Sequence, residues 1–300
     1  MLNTGVKMNF LTHLLNGISL GSVYSIIALG YTMVYGIAKM LNFAHGDVIM
    51  VGGFVIYTLM SSLGLNPVLA VVLAMIFCTL LGITIERIAY KPLRKAPSLA
   101  VLITAIGVSY LLQNLALLIY GAEAKSFSSV IPVKALSLAD GRLLISGEAL
   151  VTIPICIIIM TGLTVFIRKS KTGRGMIAVS EDKEAAVLMG VNVNKTIAIT
   201  FAIGSAIAAI GSALMFSTYP NLSPTSGAMP GIKAFVAAVF GGIGSIPGAM
   251  IGGILLGIIE ILSRAYISTQ LGDAIVFLIL IVVLLVKPTG ILGRKIQEKV

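Results

Sequence analysis

Residues capable of catalysis are few in this sequence, and their spacing does not build a catalytic centre. Ser180 and Lys183 match S-x-x-K, and Lys171-Thr172-Gly173 matches K-T-G, two motifs of penicillin-binding enzymes. They occur in reversed order, without an S-D-N, inside a strongly charged segment. The two histidines, 32 positions apart with few possible ligands nearby, do not suit a metal site. The sequence therefore predicts no catalytic residue and no bound metal.

The sequence also lacks a segment that could hold the phosphates of ATP. The motif G-x-x-x-x-G-K-[ST], whose backbone amides surround phosphates, does not occur in the 300 residues. Cys78 and Cys156 both lie inside apolar runs, a placement that indicates neither a disulfide nor a metal cluster. We therefore expect the chain to bind no cofactor of its own.

Polar residues that could contact a solute lie in two glycine-containing interruptions of the apolar sequence. We call residues 36–46 the first interruption and residues 231–244 the second. In many transporters, interrupted helices bring such residues together near the membrane midplane. Four residues in or beside the interruptions are predicted to belong to a substrate pathway: Asn42, His45, Asp47 and Lys233.

Ionisable residues are otherwise scarce in the apolar runs. Glu86 adjoins a basic loop and Glu260 lies one turn before Arg264, so both acids are predicted to be helix-end residues. An exposed pair four residues apart contributes only about 0.2–0.5 kcal/mol. Gln113 and Asn114 are predicted to bridge helices rather than to bind a solute. An interior with so few charges suits an amino acid with an apolar side chain.

The most informative polar segment is 168–195, RKSKTGRGMIAVSEDKEAAVLMGVNVNK. Ser180 is predicted to cap a short helix, because acids follow it in the first turn, where the helix dipole favours negative charge. Apolar residues 185–189 follow, and Gly190 ends the helix. Its acids disfavour binding to an anionic membrane surface, so we expect docking in a partner's groove, with a solvated connector as the alternative.

Membrane helices must position these residues. The chain is 58% hydrophobic and 11% charged, with a mean hydropathy of +1.06, whereas soluble domains are about 25% charged. A membrane helix needs about 20 mostly apolar residues. Eight long candidates are present: Phe10–Tyr35, Val48–Leu63, Val68–Ile88, Leu99–Ile119, Leu150–Ile167, Thr196–Phe216, Ile246–Leu262 and Ala274–Val286. With the two interruptions as short spans or re-entrant segments, the sequence predicts an all-α polytopic membrane protein of about 8–10 such helices, forming one transmembrane domain over residues 1–300.

The distribution of positive charge predicts the orientation. Residues 86–97, residues 168–183 and the tail from 287 carry 13 of the 21 Lys and Arg residues. We therefore place them, and the C-terminus, in the cytoplasm. The loop 120–148 is predicted to be external, with a small hairpin turning at Asp140-Gly141. The side of the N-terminus depends on whether the first interruption crosses the membrane. Because the net charge of +10 is divided among these loops, it does not indicate nucleic-acid binding.

Glycines four residues apart allow membrane helices to approach closely. Such glycines are predicted to serve helix packing in the C-terminal third: Gly244, Gly248, Gly252, Gly253 and Gly257. The same spacing joins Gly17 and Gly21. Residues 46–54 and 247–254 are also similar, since each follows a polar break and opens an apolar helix. This similarity indicates a two-fold internal repeat.

Two parts of the sequence carry a family resemblance. Glu184-Ala185-Ala186-x-x-x-Gly190 resembles the EAA loop of bacterial ABC import permeases, which forms the coupling helix that docks onto the ATPase subunit. Residues 16–53 and 231–257, together with 287–293, resemble signatures of the H-type permease of the branched-chain amino acid importer. The resemblance covers essentially the whole chain. The loop lacks the longer pattern of the maltose-type permeases, so docking details do not carry over from them.

The resemblance implies a set of partners: a second, M-type permease, two cytoplasmic ABC ATPases and a periplasmic or extracellular amino-acid-binding protein. It also implies import of leucine, isoleucine and valine across the inner membrane, with ATP and Mg²⁺ used by the partner ATPases. Related permeases carry urea or short amides, so those substrates remain open, as does pairing with a second copy of the same chain.

Three other functions fit the sequence less well. A secondary transporter usually buries acids or paired charges within the membrane, and the sequence offers few. An aquaporin-type channel needs two Asn-Pro-Ala caps, whereas Asn42-Phe43-Ala44 is one partial match. An intramembrane enzyme needs a nucleophile and a base, and no such pair is evident. The sequence favours the permease.

Overall fold

The computed structural model of the chain describes residues 2–138 and 143–293. Within these ranges it contains eleven α-helices: α1 (Leu2–Ala38), α2 (His45–Ser61), α3 (Pro67–Ile85), α4 (Ser98–Tyr120), α5 (Gly147–Lys169), α6 (Lys171–Glu181), α7 (Lys183–Leu188), α8 (Val193–Thr218), α9 (Ala228–Gly241), α10 (Ile246–Tyr266) and α11 (Gly272–Val286). Six are long and apolar enough to cross a membrane, namely α1, α3, α4, α5, α8 and α10, and α2, α9 and α11 are shorter apolar helices. The prediction of an all-α polytopic protein with about 8–10 membrane helices is confirmed.

Helix α1 lies at the centre of the bundle, and its apolar part is almost entirely buried. Helix α10 runs antiparallel against it, with glycines at the contact. A Cβ on Gly21 would lie 2.6 Å from the Cα of Ile254, and one on Gly257 would lie 2.4 Å from the Cα of Gly21. Backbones this close exclude larger residues, which is how membrane helices associate without a hydrophobic driving force. Helices α3, α4 and α5 lie at the perimeter and expose most of their apolar surface.

The polar segments near 90 and 183 lie at the same end of the bundle as the last residue of α1. Arg94, in the short helical turns that follow α3, donates a hydrogen bond to the side chain of Asn194 at the start of α8. Lys183 Nζ donates to the carbonyl oxygen of Ala38, 3.0 Å away. These contacts bring the segments 86–97 and 168–183 together.

The C-terminal segment joins them at this end. Gly36 of α1 packs on Gly244, where a Cβ would lie 3.1 Å from the glycine Cα. The amide of Ile291 donates to the carbonyl of Phe240, near the end of α9, over 2.9 Å. The segments 86–97 and 168–183 and the described part of the tail, residues 287–293, therefore share one end of the bundle, which we call the basic face. The N-terminal end of α1 lies at the opposite face, because the helix crosses the bundle once.

The first interruption turns back into the bundle instead of crossing it. Residues 39–44 are non-helical, and Lys39 adopts a φ of 57°. His45, the first residue of α2, packs edge-on against Tyr31 with ring centroids 4.8 Å apart. Tyr31 lies seven residues before the end of α1, so α2 begins roughly 10 Å inside the bundle. Helix α2 then runs to the opposite face, where Phe54 stacks on Tyr120 at the end of α4.

The second interruption is mostly helical, since α9 occupies it. The non-helical breaks fall on either side, at 219–227 and 242–245. The two similar stretches open α2 and α10, each after a break. The internal repeat itself stays a prediction.

Short strands cover the opposite face. Strand β1 (Lys125–Ser126) pairs with β4 (Asn221–Leu222), and β2 (Leu136–Leu138) pairs antiparallel with β3 (Leu143–Ile145). The predicted hairpin in the loop 120–148 is confirmed by these strands, while its turn at Asp140-Gly141 lies outside the described residues.

Candidate functional site

The first turns of α2 and α9 meet in the interior of the bundle. A Cβ on Gly46 would lie 2.5 Å from the carbonyl oxygen of Gly227 and 3.1 Å from the Cα of Gly231. Any larger residue at position 46 would clash with the start of α9, so this approach requires glycine. The two helices start side by side and run to opposite faces, which places two helix N-termini near the middle of the bundle. Helix N-termini carry partial positive charge and free amides, so we call this contact the N-terminal junction.

Asn42 and His45 lie at this junction and are buried. Asn42 Oδ1 accepts a hydrogen bond of 2.8 Å from the hydroxyl of Tyr90, which ties the first interruption to the segment after α3. The imidazole of His45 fits into the space left by Gly30, where a Cβ would lie 2.3 Å from Nε2. Both side chains therefore fix the shape of the first interruption.

Asp47 connects the junction to α4. It accepts hydrogen bonds from the Ser109 hydroxyl and, over 2.9 Å, from Gln113 Nε2. The prediction that Gln113 bridges helices is therefore confirmed. The same prediction for Asn114 is wrong, because its amide donates to the carbonyl of Tyr110 in its own helix, 2.7 Å away.

Lys233 lies apart from the other three predicted pathway residues, in a buried charge network. Its Nζ lies 2.8 Å from Glu260 and 2.8 Å from Asp273. Arg264 pairs with both acids, at 2.7 Å and 2.9 Å, and the hydroxyl of Tyr24 donates to Glu260 over 3.0 Å. Two bases and two acids thus balance one another where α9, α10 and α11 meet. We call these four charged residues the charge network.

This network corrects the prediction for Glu260. That acid pairs with Arg264 as expected, but its side chain is only 1% exposed and has two further partners, so it is not a solvated helix-end residue. Glu86 does follow the last residue of α3, yet it is buried and paired with Arg94. Lys233 is the sequence feature that could have predicted this network. It is an isolated charge in an apolar segment, and a buried charge needs a partner.

The segment 168–195 folds as two helices, α6 and α7, at the basic face. The predicted cap, Ser180, is wrong: it lies within α6 and donates to the carbonyl of Ile177. Asp182 caps α7 instead, accepting from the amides of Glu184 and Ala185 at 2.9 and 3.0 Å. Asp182 has an extended backbone, with φ −155°. This conformation, typical of N-cap residues, lets its carboxylate accept from the first amides of the following helix.

Helix α7 presents an apolar surface that nothing in the described part of the chain covers. Val187, Leu188 and Met189 are 59%, 87% and 82% exposed. Ala186 is buried on the other side, and Lys183 attaches the helix to the end of α1. Burial lowers the pKa of Lys183, and the nearby charges of Arg94 and Lys39 lower it further.

The chain leaves α7 by a left-handed residue. Gly190 has φ +79° with open space around it, so it ends the helix through backbone conformation and not through packing.

The predicted packing glycines divide between two partners of α10. A Cβ on Gly252 would lie 2.2 Å from the carbonyl oxygen of Ala237, and one on Gly248 would lie 2.5 Å from that of Gly241, both in α9. Gly253 and Gly257 face α1, while Gly244 lies in the turn before α10. Within residues 2–138 and 143–293, no three His, Cys, Asp or Glu side chains are grouped as metal ligands would be.

Comparison with known proteins places this architecture in a family. Residues 13–284 match the family model described as branched-chain amino acid transport system / permease component. The chain is 44% identical over 302 residues to the high-affinity branched-chain amino acid transport system permease protein LivH of Escherichia coli strain K12, covering 97% of this chain and 98% of LivH. Identity to the permease protein BraD of Pseudomonas aeruginosa is 44% over 303 residues, with the same coverage.

A solved structure shares the fold. PsaBC from Streptococcus pneumoniae in complex with Fab matches with a TM-score of 0.50 at 15% identity, over 96% of this chain and 97% of that one. The family match and the two relatives cover nearly the whole chain. The chain therefore belongs to the branched-chain amino acid transport permeases and is a multi-pass membrane protein.

Proposed function

We propose that this chain is the permease subunit of an ATP-driven importer that carries leucine, isoleucine and valine across the inner membrane. The observation that supports this most strongly is the 44% identity to LivH over nearly the full length of both chains. Urea or a short amide is the alternative cargo, because substrate choice in such systems rests largely with the binding protein.

The energy for import comes from other subunits. The sequence lacks a P-loop, so ATP and Mg²⁺ are used by two partner ATPases, and this chain holds no cofactor. A second permease and an external amino-acid-binding protein complete the importer. The basic face is cytoplasmic, since Lys and Arg accumulate on that side, and the C-terminus lies there.

Helix α7 is the docking element for an ATPase subunit. The exposed apolar residues 187–189 suit a hydrophobic groove on a partner, and Glu184 lies on the exposed side of the same helix. The Lys183 contact with Ala38 gives α7 a direct connection to α1 at the bundle's centre, so a displacement of α7 reaches the first interruption.

The roles of Asn42, His45, Asp47 and Lys233 in a substrate pathway stay predictions. All four are at most 5% exposed, and at least three are held by protein partners. Their burial supports a part in shaping the N-terminal junction and the charge network more than direct contact with a solute.

Uptake by the complete importer in proteoliposomes tests the proposed function. We expect ATP-dependent accumulation of radiolabelled leucine that isoleucine and valine inhibit and urea does not. An ATPase subunit whose P-loop lysine is replaced serves as the control and should abolish uptake. Leucine uptake that survives this control and collapses with an uncoupler would show a secondary transporter instead.

A second experiment tests the docking role of α7. Glu184→Lys should reduce uptake while the complex still inserts, because the reversed charge lies on the docking surface. Glu123→Lys, an exposed acid on the opposite face, is the matched control and should transport normally. Normal coupling of ATP hydrolysis to uptake in Glu184→Lys would show that α7 is not the docking element.

A further inference from the structure

A groove opens between α4 and the loop that precedes α9. It has a volume of about 410 Å³, within the range of about 300–1,000 Å³ that is usual for ligand pockets. Its walls include Tyr110, Asn114 and Leu117 of α4, facing Ser223, Pro224 and Thr225 of the loop. We call it the α4 groove. None of its lining residues is charged.

The groove reaches into the membrane-embedded part of the chain. Asn114 lies six residues before the end of α4, which places it roughly 9 Å inside that end. The loop lies at similar depth, because Leu222 contacts the side of Gly53, eight residues before the last residue of α2. The loop continues inward until Gly227 meets Gly46 at the N-terminal junction.

Lipid cannot be the neighbour of this surface. Residues 223–227 are non-helical, and non-helical backbone at membrane depth persists only where protein buries it or where it lines a water-filled cavity. Thr225 is nevertheless exposed, and so is Asn114. The α4 groove therefore faces the second permease of the proposed importer, or the wet space between the two subunits, and not lipid. The exposed face of α3 is apolar by contrast, with Ile76 and Phe77 half-exposed.

The hydrogen-bonding groups of the groove suit a zwitterion with an apolar side chain. Asn114 spends one N–H on its own helix, which leaves its second N–H and its carbonyl for a ligand, as donor and acceptor. Ser223 Oγ lies 2.9 Å from Ser226 Oγ and 3.4 Å from Thr225 Oγ1, and each hydroxyl keeps further capacity to donate or accept. Leu117 and Pro224 offer apolar contact. A solute with a net charge would find no counter-ion on these walls and would lose its hydration without compensation.

We propose that the α4 groove is where this subunit contacts the transported amino acid. This inference rests on the proposed function and adds a site to it: Asn114 and the loop hydroxyls hold the amino and carboxyl groups, and Leu117 lies along the aliphatic side chain. Gln113, which also lines the groove, bonds Asp47 in the first turn of α2, so occupancy is communicated directly to the N-terminal junction.

Cysteine labelling of the complete importer in proteoliposomes tests the site. Asn114→Cys and Thr225→Cys should react with a small water-soluble thiol reagent at least about tenfold faster than Ile76→Cys, because a lipid-facing thiol is kept protonated. The unsubstituted chain sets the background, since Cys78 and Cys156 are buried. Leucine with its binding protein should slow labelling of Asn114→Cys during ATP turnover, and lysine should not.

Equal labelling of Asn114→Cys and Ile76→Cys, or labelling unaffected by leucine, would overturn the inference. Thr225→Cys lies in an exposed loop and keeps the test valid if Asn114→Cys does not assemble. Leucine uptake by the unsubstituted importer is measured in the same vesicles. If uptake is normal but leucine does not protect Asn114→Cys, only the inference about the groove is wrong. If the importer takes up no leucine, the proposed function is wrong as well.

Discussion

At the scale of single residues, Glu260 is a buried acid with three polar partners. It is paired with Lys233 and Arg264 and accepts from Tyr24, while the chain around it is apolar. A charge in such surroundings is stable only with its partners in place. Lys233 and Glu260 are 27 positions apart, on helices whose relative position the sequence does not state, so the pairing could not be derived from spacing.

Replacing Glu260 should therefore be costly. We expect Glu260→Ala to lower the free energy of unfolding by about 3 kcal/mol, because two bases then share the single, more exposed acid Asp273. Equilibrium unfolding in mixed detergent, followed by circular dichroism, measures the change. Asp273→Asn, at the more exposed end of the network, is the control and should cost much less. A smaller loss for Glu260→Ala than for Asp273→Asn would contradict this assignment.

Removing a matched pair should cost less than removing one partner. In the double variant Lys233→Met, Glu260→Met, Arg264 and Asp273 still pair with each other, and no buried charge remains without a partner. We expect this variant to be more stable than Glu260→Ala, as buried pairs replaced by apolar residues often are. The same unfolding assay decides, and additive losses from the two single changes would exclude coupling between them.

At the scale of elements, the caps and glycines determine where helices end and how closely they approach. The segment 168–195 shows what sequence can and cannot predict here. The sequence predicts a short helix that begins after Ser180 and ends at Gly190, and the structure confirms the glycine end but begins α7 only at Lys183. Only the break at Asp182, which separates α6 from α7, decides the cap.

The cap of α7 gives a prediction with an internal control. Asp182→Ala should destabilise α7 locally by about 1 kcal/mol, because two helix amides lose their acceptor. Hydrogen exchange of residues 183–189 should then be faster, with the rest of the bundle unchanged. Ser180→Ala removes only a bond within α6 and should leave that exchange as it was. Equal effects of the two changes would restore Ser180 as a cap.

The contact between α1 and α10 gives a second prediction at this scale. Gly257→Ala would place a methyl group 2.4 Å from the Cα of Gly21, so the helices must separate and thermal stability in detergent should fall. Gly107→Ala in α4 meets nothing within 4 Å and should be neutral, or stabilising by up to about 1 kcal/mol. A Gly257→Ala protein as stable as Gly107→Ala would contradict the close packing described here.

At the scale of the whole molecule, the fold sorts its polar segments onto two faces. The three basic segments share one face, and the strands and the start of α5 lie at the other. The described residues contain nine apolar helices, an odd number, so the start of α1 and the end of α11 lie on opposite faces. Because we propose that the basic face is cytoplasmic, we predict that the start of α1 is external.

Tag accessibility tests this topology. A tag before residue 1 should be cleaved by protease added to intact spheroplasts, and a tag after residue 300 should be cleaved only in inside-out vesicles. We expect the two tags on opposite sides because the first interruption turns back inside the bundle and adds no crossing. A cytoplasmic protein released on lysis controls for membrane integrity. Two tags accessible from the same side would show a tenth crossing.

Composition and long apolar runs by themselves determined that this chain is a helical membrane protein, because a membrane helix requires about 20 mostly apolar residues. The positions of Lys and Arg predicted that its basic loops lie on one side. The Glu184-Ala185-Ala186 segment could also be recognised from the sequence, because its residues are consecutive. The charge network, the N-terminal junction and the α4 groove were decided only by tertiary structure. Each joins residues far apart in sequence, and the backbone approach at glycines such as Gly46, which no local pattern encodes, determines which of them meet.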